Sequence, residues 1–350
     1  MNISSVLTSV LKRALSRTKW CRRPLPPPPR DAQNVMKLII DCDAGVDDAM
    51  ALIMALDYVR KGKAQVLAVT CVQGNTGLDN VVVNVLRTMN AMDIQVPVYR
   101  GAKDPLIGPY IRHGPPFHGE DGLGDAHFDT TPDLSVVSSE HASLAIARLV
   151  RDNPDEVTLI ATGPLTNVAL AIKMDPDFTK LLHSFYIMGG NLNGRGNITT
   201  CAEFNFHNDP EAALVTLTES LTPPRMITFD LCISQALFSL DWRKNKLGQK
   251  ATRQARFQNK IEDTLLKAFE KYYGDYSMWD QVAVAAALNP GQVVTEASSA
   301  CASVELAGQH TRGQMIIESR LRQDDRKNNV VIVDKIDKTA LENMVLDAFD

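Results

Sequence analysis

The chain has 350 residues, 45% of them hydrophobic, enough for one large domain or two modest ones around a substantial buried core. Its formal net charge of -4 hides a division: residues 1–35 carry seven Lys/Arg against Asp31 alone, so the remainder is more acidic than the total suggests and is a poor partner for nucleic acid. Six cysteines (Cys21, Cys42, Cys71, Cys201, Cys232, Cys301) stand far apart with no CxxC pair, which argues for a reducing compartment, and no apolar run reaches the roughly 18 residues of a membrane span.

At the start of the chain, Ile3, Val6, Leu7, Val10, Leu11, Ala14 and Leu15 recur at helical spacing, with Lys12, Arg13 and Arg17 elsewhere on the helix and no acid before Asp31. This basic amphipathic pattern reads as a mitochondrial transit peptide; the alternative is a disordered basic tail on a cytoplasmic protein. "PLPPPPR" (24–30) is a polyproline spacer. The expected organisation is therefore an extension over 1–35 and a catalytic domain over 36–350.

From Met36 onward, β-rich apolar runs alternate with helical patterns. Strands are predicted at 37–42, 64–72, 96–99, 157–162, 184–190, 225–231 and 329–336, and helices at 47–60, 78–91, 139–152, 164–174, 209–220, 251–273 and 278–287. Such alternation implies an α/β fold: a mainly parallel, Rossmann-like open sheet with helices on both faces and ligands at the C-terminal ends of its strands. The long loop 101–133 is expected to cover the site.

Within "LIIDCDAGVDDAMALIMAL" (38–56), Asp41, Asp43, Asp47 and Asp48 fall in eight positions at the end of a buried strand and the start of a helix. Gly45 permits the tight turn, and the helix dipole tolerates an acid in the first turn. Capping accounts for one acid or two. Several carboxylates converging on a poorly solvated rim would repel one another and take up protons unless a cation were present, and a hard divalent ion, Ca²⁺ or Mg²⁺, is the economical answer. Two chemistries could use the arrangement: phosphoryl transfer through Asp41, as in haloacid dehalogenase-type phosphatases, or hydrolysis of a glycosidic bond.

"DCDAGVDDAMA" resembles the DxDPGxDDxxA signature of the nucleoside hydrolases, the inosine/uridine-preferring ribohydrolase family. "QGN" (73–75), "FHGEDGLGD" (117–125), "ATGPLTNVALA" (161–171), "YIMGGN" (186–191), "GNITTCAEFNFHNDPEAA" (196–213) and "MWDQVAVAAALNP" (278–290) follow in the family's order. The resemblance implies calcium-dependent hydrolysis of ribonucleosides to base and ribose. It implies a Ca²⁺ ion held by Asp43, Asp48, Asp280 and the main-chain carbonyl of Thr162, with Asp43 doubling as general base toward the attacking water. Asp47, Asn75 and Asn205 would hold ribose hydroxyls, Asn197 and Glu203 would lie near the ring oxygen and 5′-hydroxyl, and His118 could contact base or ribose. A homodimer or homotetramer is also implied. A nucleoside-binding protein that kept the fold but not the activity is the rival from another class.

Two departures stand out. Ala44 occupies the signature's proline position, which is expected only to loosen the turn. Trp279 stands where many members carry a histidine that protonates the departing base. An indole cannot do that, but it can stack on a purine, and this points to a purine-nucleoside preference.

Overall fold

The computed structural model describes residues 35–111, 116–272, 274–318 and 327–350. The transit-peptide and spacer readings lie outside these residues.

Strands β1 (Met36–Cys42), β2 (Ala64–Cys71), β3 (Val98–Arg100), β4 (Val157–Ala161), β5 (Ser184–Met188) and β6 (Arg225–Ile227) run parallel in the order β3-β2-β1-β4-β5-β6. β7 (Leu237–Ser239) and β8 (Asp275–Ser277) pair with each other outside that sheet. β9 (Val294–Ala300) and β12 (Val330–Ile336) complete it, β12 parallel to β6 and β9 antiparallel at the edge, while β10 (Ala302–Val304) and β11 (Met315–Ile317) form a second small pair. A mainly parallel sheet was expected and is found; its antiparallel edge was not expected. "VTEASSA" in β9 is half-exposed and lacks the apolar run by which buried strands are read.

Alternation along β1 feeds two cores. Leu38, Ile40 and Cys42 pack with α1 (Val46–Arg60) and α2 (Leu78–Met92), whereas Ile39 packs with α3 (Ala142–Asp152) and α4 (Thr166–Met174) on the opposite face. Each of these aliphatic side chains contributes roughly 1.5–3 kcal/mol on full burial. α5 (Phe204–Asn208) and α6 (Pro210–Glu219) follow β5, and α7 (Phe229–Gln235) cuts short the strand predicted over 225–231. The Thr228 hydroxyl accepts the Leu231 amide at 3.4 Å and turns the chain into a helix there. α8 (Arg253–Tyr272), α9 (Asp280–Leu288) and α10 (Lys338–Ala348) complete the helical layer on the α1 face.

Candidate active site

The chain leaves β1 for β2 and β3 on one side and returns through β4 on the other, so the strand order reverses between β1 and β4. Adjacent loops diverge there and open a crevice at the strands' carboxyl ends. Asp43 follows β1 at that point, Thr162 follows β4, and Gln73–Asn75 follow β2. Gly74 is needed for the close approach, since a Cβ on it would lie 2.0 Å from Asp43 Oδ2.

Asp43, Asp47, Asp48 and Asp280 are 1%, 8%, 3% and 3% exposed, which rules out solvated loop acids. Oxygens of Asp47, Asp48 and Asp280 lie within 4.8 Å of one another. Asp43 stands against Asp48; its Oδ2 accepts the Asn75 amide at 2.7 Å, and its Oδ1 is buried without a hydrogen-bond partner. Asp48 Oδ2 accepts the Gly45 amide at 2.8 Å and Asn75 Nδ2 at 3.3 Å, and Oδ1 accepts the Thr162 hydroxyl at 2.8 Å. Burial first, then repulsion from its neighbours, pushes Asp48 up to about 7 and holds Asp43 and Asp280 well above the ordinary carboxylate range. The donor set is all oxygen, one of those oxygens is orphaned, and the negative charge is uncompensated. These residues fit a hard divalent cation.

The loop 101–133 does reach this crevice. Tyr110 donates its hydroxyl to the Gly74 carbonyl at 3.1 Å. His118 Nδ1 accepts the Val46 amide at 3.2 Å, which leaves the proton on Nε2, 3.6 Å from Asp47 Oδ1. Burial pulls the imidazole pKa down, with Asp47 opposing, so the neutral ring is favoured. Asn205 Nδ2 donates to the carbonyls of Thr162 at 2.8 Å and Met188 at 3.1 Å. Glu203 caps α5 with both oxygens, accepting the Asn205 amide at 2.9 Å, the Gly190 amide at 2.8 Å and the Phe206 amide at 3.1 Å, while burial raises it to about 7. Contacts therefore link Asp43, Asp47, Asp48, Asn75, His118, Thr162, Glu203, Asn205 and Asp280. Asn197 is exposed in its loop, and its backbone amide bonds the Ala202 carbonyl at 3.3 Å.

Trp279 directly precedes Asp280 and lies outside α9, which begins two residues later than the helix predicted over 278–287. Its ring stacks on Phe269 at 5.9 Å and meets Phe117 edge-on at 5.7 Å, and its indole Nε1 is buried with no partner. The two phenylalanines were not read from the sequence; Phe269 sits in a helical pattern where an aromatic ordinarily signals core. Asp41 is fully buried with Oδ1 taken by the Thr70 hydroxyl at 2.6 Å and Asn167 Nδ2 at 2.8 Å, so it cannot serve as a phosphatase nucleophile. Ala44 adopts φ +41°, which proline's ring forbids, so its substitution re-routes the turn rather than loosening it.

A family model described as "Inosine-uridine preferring nucleoside hydrolase" matches residues 38–343. The Leishmania major protein of that name is 31% identical over 316 residues, spanning 90% of this chain and 97% of its own. The Escherichia coli pyrimidine-specific ribonucleoside hydrolase RihB is 33% identical over 266 residues, 74% of this chain and 80% of its own. Among solved structures, an inosine-guanosine nucleoside hydrolase superimposes with a TM-score of 0.81 at 30% identity, covering 90% of this chain and 98% of its own.

Proposed function

Since the chain belongs to the inosine-uridine preferring nucleoside hydrolase family and is a nucleoside N-ribohydrolase, we propose that it is calcium-dependent and favours purine ribonucleosides. The buried, mutually repelling carboxylates at the strand-order reversal carry this reading, because a bound cation lets them stay charged where they would otherwise take up protons. Asp43, Asp48, Asp280 and the Thr162 carbonyl would hold the ion, and Asp47, with an oxygen within 4.8 Å of those of Asp48 and Asp280, would be able to ligate as well. When bound, Ca²⁺ neutralises the acids, orients the ribose diol and acidifies a water.

The remaining work falls to this chain's own atoms. Asp43, pinned through Oδ2 by the Asn75 amide, presents Oδ1 to take a proton from the attacking water. Asp47, Asn75 and Asn205 grip the ribose hydroxyls, and Asn197 and Glu203 stand on the side of the ring oxygen and 5′-hydroxyl. C–N cleavage develops positive charge on the sugar, which the surrounding carboxylates stabilise. Losing a hydroxyl leaves buried polar groups unpaired, so 2′-deoxynucleosides should be rejected.

Relatives differ in base preference, from pyrimidine-specific in RihB to inosine–guanosine in the solved structure. Trp279, flanked by Phe117 and Phe269, favours the purine side, because an indole offers a purine more stacking surface than it offers uracil. Stacking contributes roughly 0.5–1.5 kcal/mol, about tenfold at most, so a larger preference requires stacking that strengthens in the transition state. The test is kcat/KM for inosine, guanosine, uridine and cytidine, in wild type and Trp279→Ala. The purines should lead, and the variant should lower their kcat more than it raises their KM. A wild type that prefers uridine overturns the purine reading.

A further inference from the structure

We propose that the cleft between α2 and α8 binds phosphate, either as the inorganic ion or as the phosphate group of a small phosphomonoester. Arg87 and Asn90 of α2, Arg253 and Phe257 of α8, and Phe128 and Thr130 of the connecting loop line a volume of about 190 Å³. The Arg87 guanidinium lies 4.2 Å from the Phe128 ring centre and the Lys260 ammonium 4.5 Å from it. These contacts fasten the loop to its helices, and Arg87 and Arg253 both line the cleft, where two cations on one cavity favour an anion between them.

The acids near the cleft supply that charge only in part. Arg253 reaches Asp93 only at 4.0 Å. Asp121 acts on Arg87 from a distance, and its Oδ1 is occupied by the amides of Leu123 at 2.7 Å and Asp125 at 3.0 Å. Asp129 faces His127 at 3.2 Å. Among the described residues, no carboxylate lines the cleft, and Arg87 Nε is buried there without a hydrogen-bond partner. Asn90 Oδ1 accepts from Gln95 at 3.0 Å, which turns its NH₂ group into the remaining polar function. The lining residues thus include two arginines, an asparagine and a threonine, the side-chain types that tetrahedral oxyanions take. The volume is below the roughly 300–1,000 Å³ of pockets for larger organic ligands, so the cleft suits a phosphate group and not a whole nucleoside.

Titration calorimetry of the full, calcium-loaded chain with inorganic phosphate, methyl phosphate and, as the uncharged control, methanol tests the assignment. Saturable binding of the phosphates is expected, weakened at least about tenfold by Arg253→Ser and by Arg87→Met. Ribonucleoside turnover should be unchanged in both. Arg253 is exposed, so Arg253→Ser reads out even if Arg87→Met folds poorly. Tighter binding of methyl phosphate would name a phosphomonoester as the occupant, and tighter or equal binding of phosphate the inorganic ion. No saturable binding overturns the proposal. So does binding that survives Arg253→Ser but is lost in Asp48→Ala, which would place the anion in the acid site.

Discussion

Asp48 serves two purposes with one carboxylate. It closes the turn before α1 by accepting the Gly45 amide, and it contributes charge to a cluster in which its own pKa is driven up to about 7 by burial and by Asp47. Asp48→Asn keeps the shape and removes the charge. At neutral pH the metal-free variant should therefore be more stable than metal-free wild type in urea unfolding, yet hold no calcium by elemental analysis. A variant that still carries stoichiometric metal would remove Asp48 from the ligand set. Ala44, at φ +41°, sits where L-residues pay about 1–2 kcal/mol and glycine does not. Ala44→Gly should stabilise by up to about 1 kcal/mol in urea titration, and a loss of stability would show that the turn is unstrained. Spacing in the sequence revealed a cluster of acids but not which of them face the crevice. The alternation of β1 turns Asp41 toward α4 and Asn167, into the core. The paired oxygens of Glu203 likewise show a cap that composition alone does not reveal.

At the scale of elements, one buried network joins those that carry the site. Glu262 and Arg243 are 0% and 1% exposed, with Arg243 Nε 2.5 Å from Glu262 Oε2. Glu262 Oε1 accepts the Tyr276 hydroxyl at 2.7 Å and Gln258 Nε2 at 2.9 Å, and Gln258 Nε2 also reaches the Val46 carbonyl at 3.0 Å. The pair thus ties α8 to β8, which leads into Trp279 and Asp280, and to the first turn of α1, which carries Asp47 and Asp48. Removing one charge leaves the other buried and unpaired, so Glu262→Gln should cost roughly 3–5 kcal/mol in urea unfolding. A change under about 1 kcal/mol would mean that water reaches Arg243. Strands and helices with strong apolar periodicity were legible in the sequence. The antiparallel β9 and the β7–β8 pair were not, because each depends on partners distant in the chain, and the break at Thr228 is a local helix cap hidden inside an apolar run that reads as strand.

For the molecule as a whole, the site makes stability depend on pH and on metal. Asp41, Asp48 and Glu203 rise to about 7 when folded, against about 4 for an ordinary carboxylate. The folded state then binds more protons than the unfolded one between those values. The contribution of these acids to the stability of metal-free protein should be fully present below about pH 4 and be lost as pH rises through about 7, whereas calcium-loaded protein should lose less, because the ion replaces protons at Asp48. Equal pH slopes with and without calcium would show that the acids do not bind it. The fold class was legible because strand–helix alternation admits few topologies, and the crevice and the long loop 101–133 over it followed from that; the contacts that fasten the loop, such as Tyr110 to Gly74 and His118 to Val46, leave no mark on local sequence. The most direct measurement is calcium content alongside release of hypoxanthine from inosine, before and after chelation and after calcium is restored. The account predicts about one ion per chain, loss of turnover with the ion, and recovery with its return. Full turnover by demonstrably metal-free protein would contradict it.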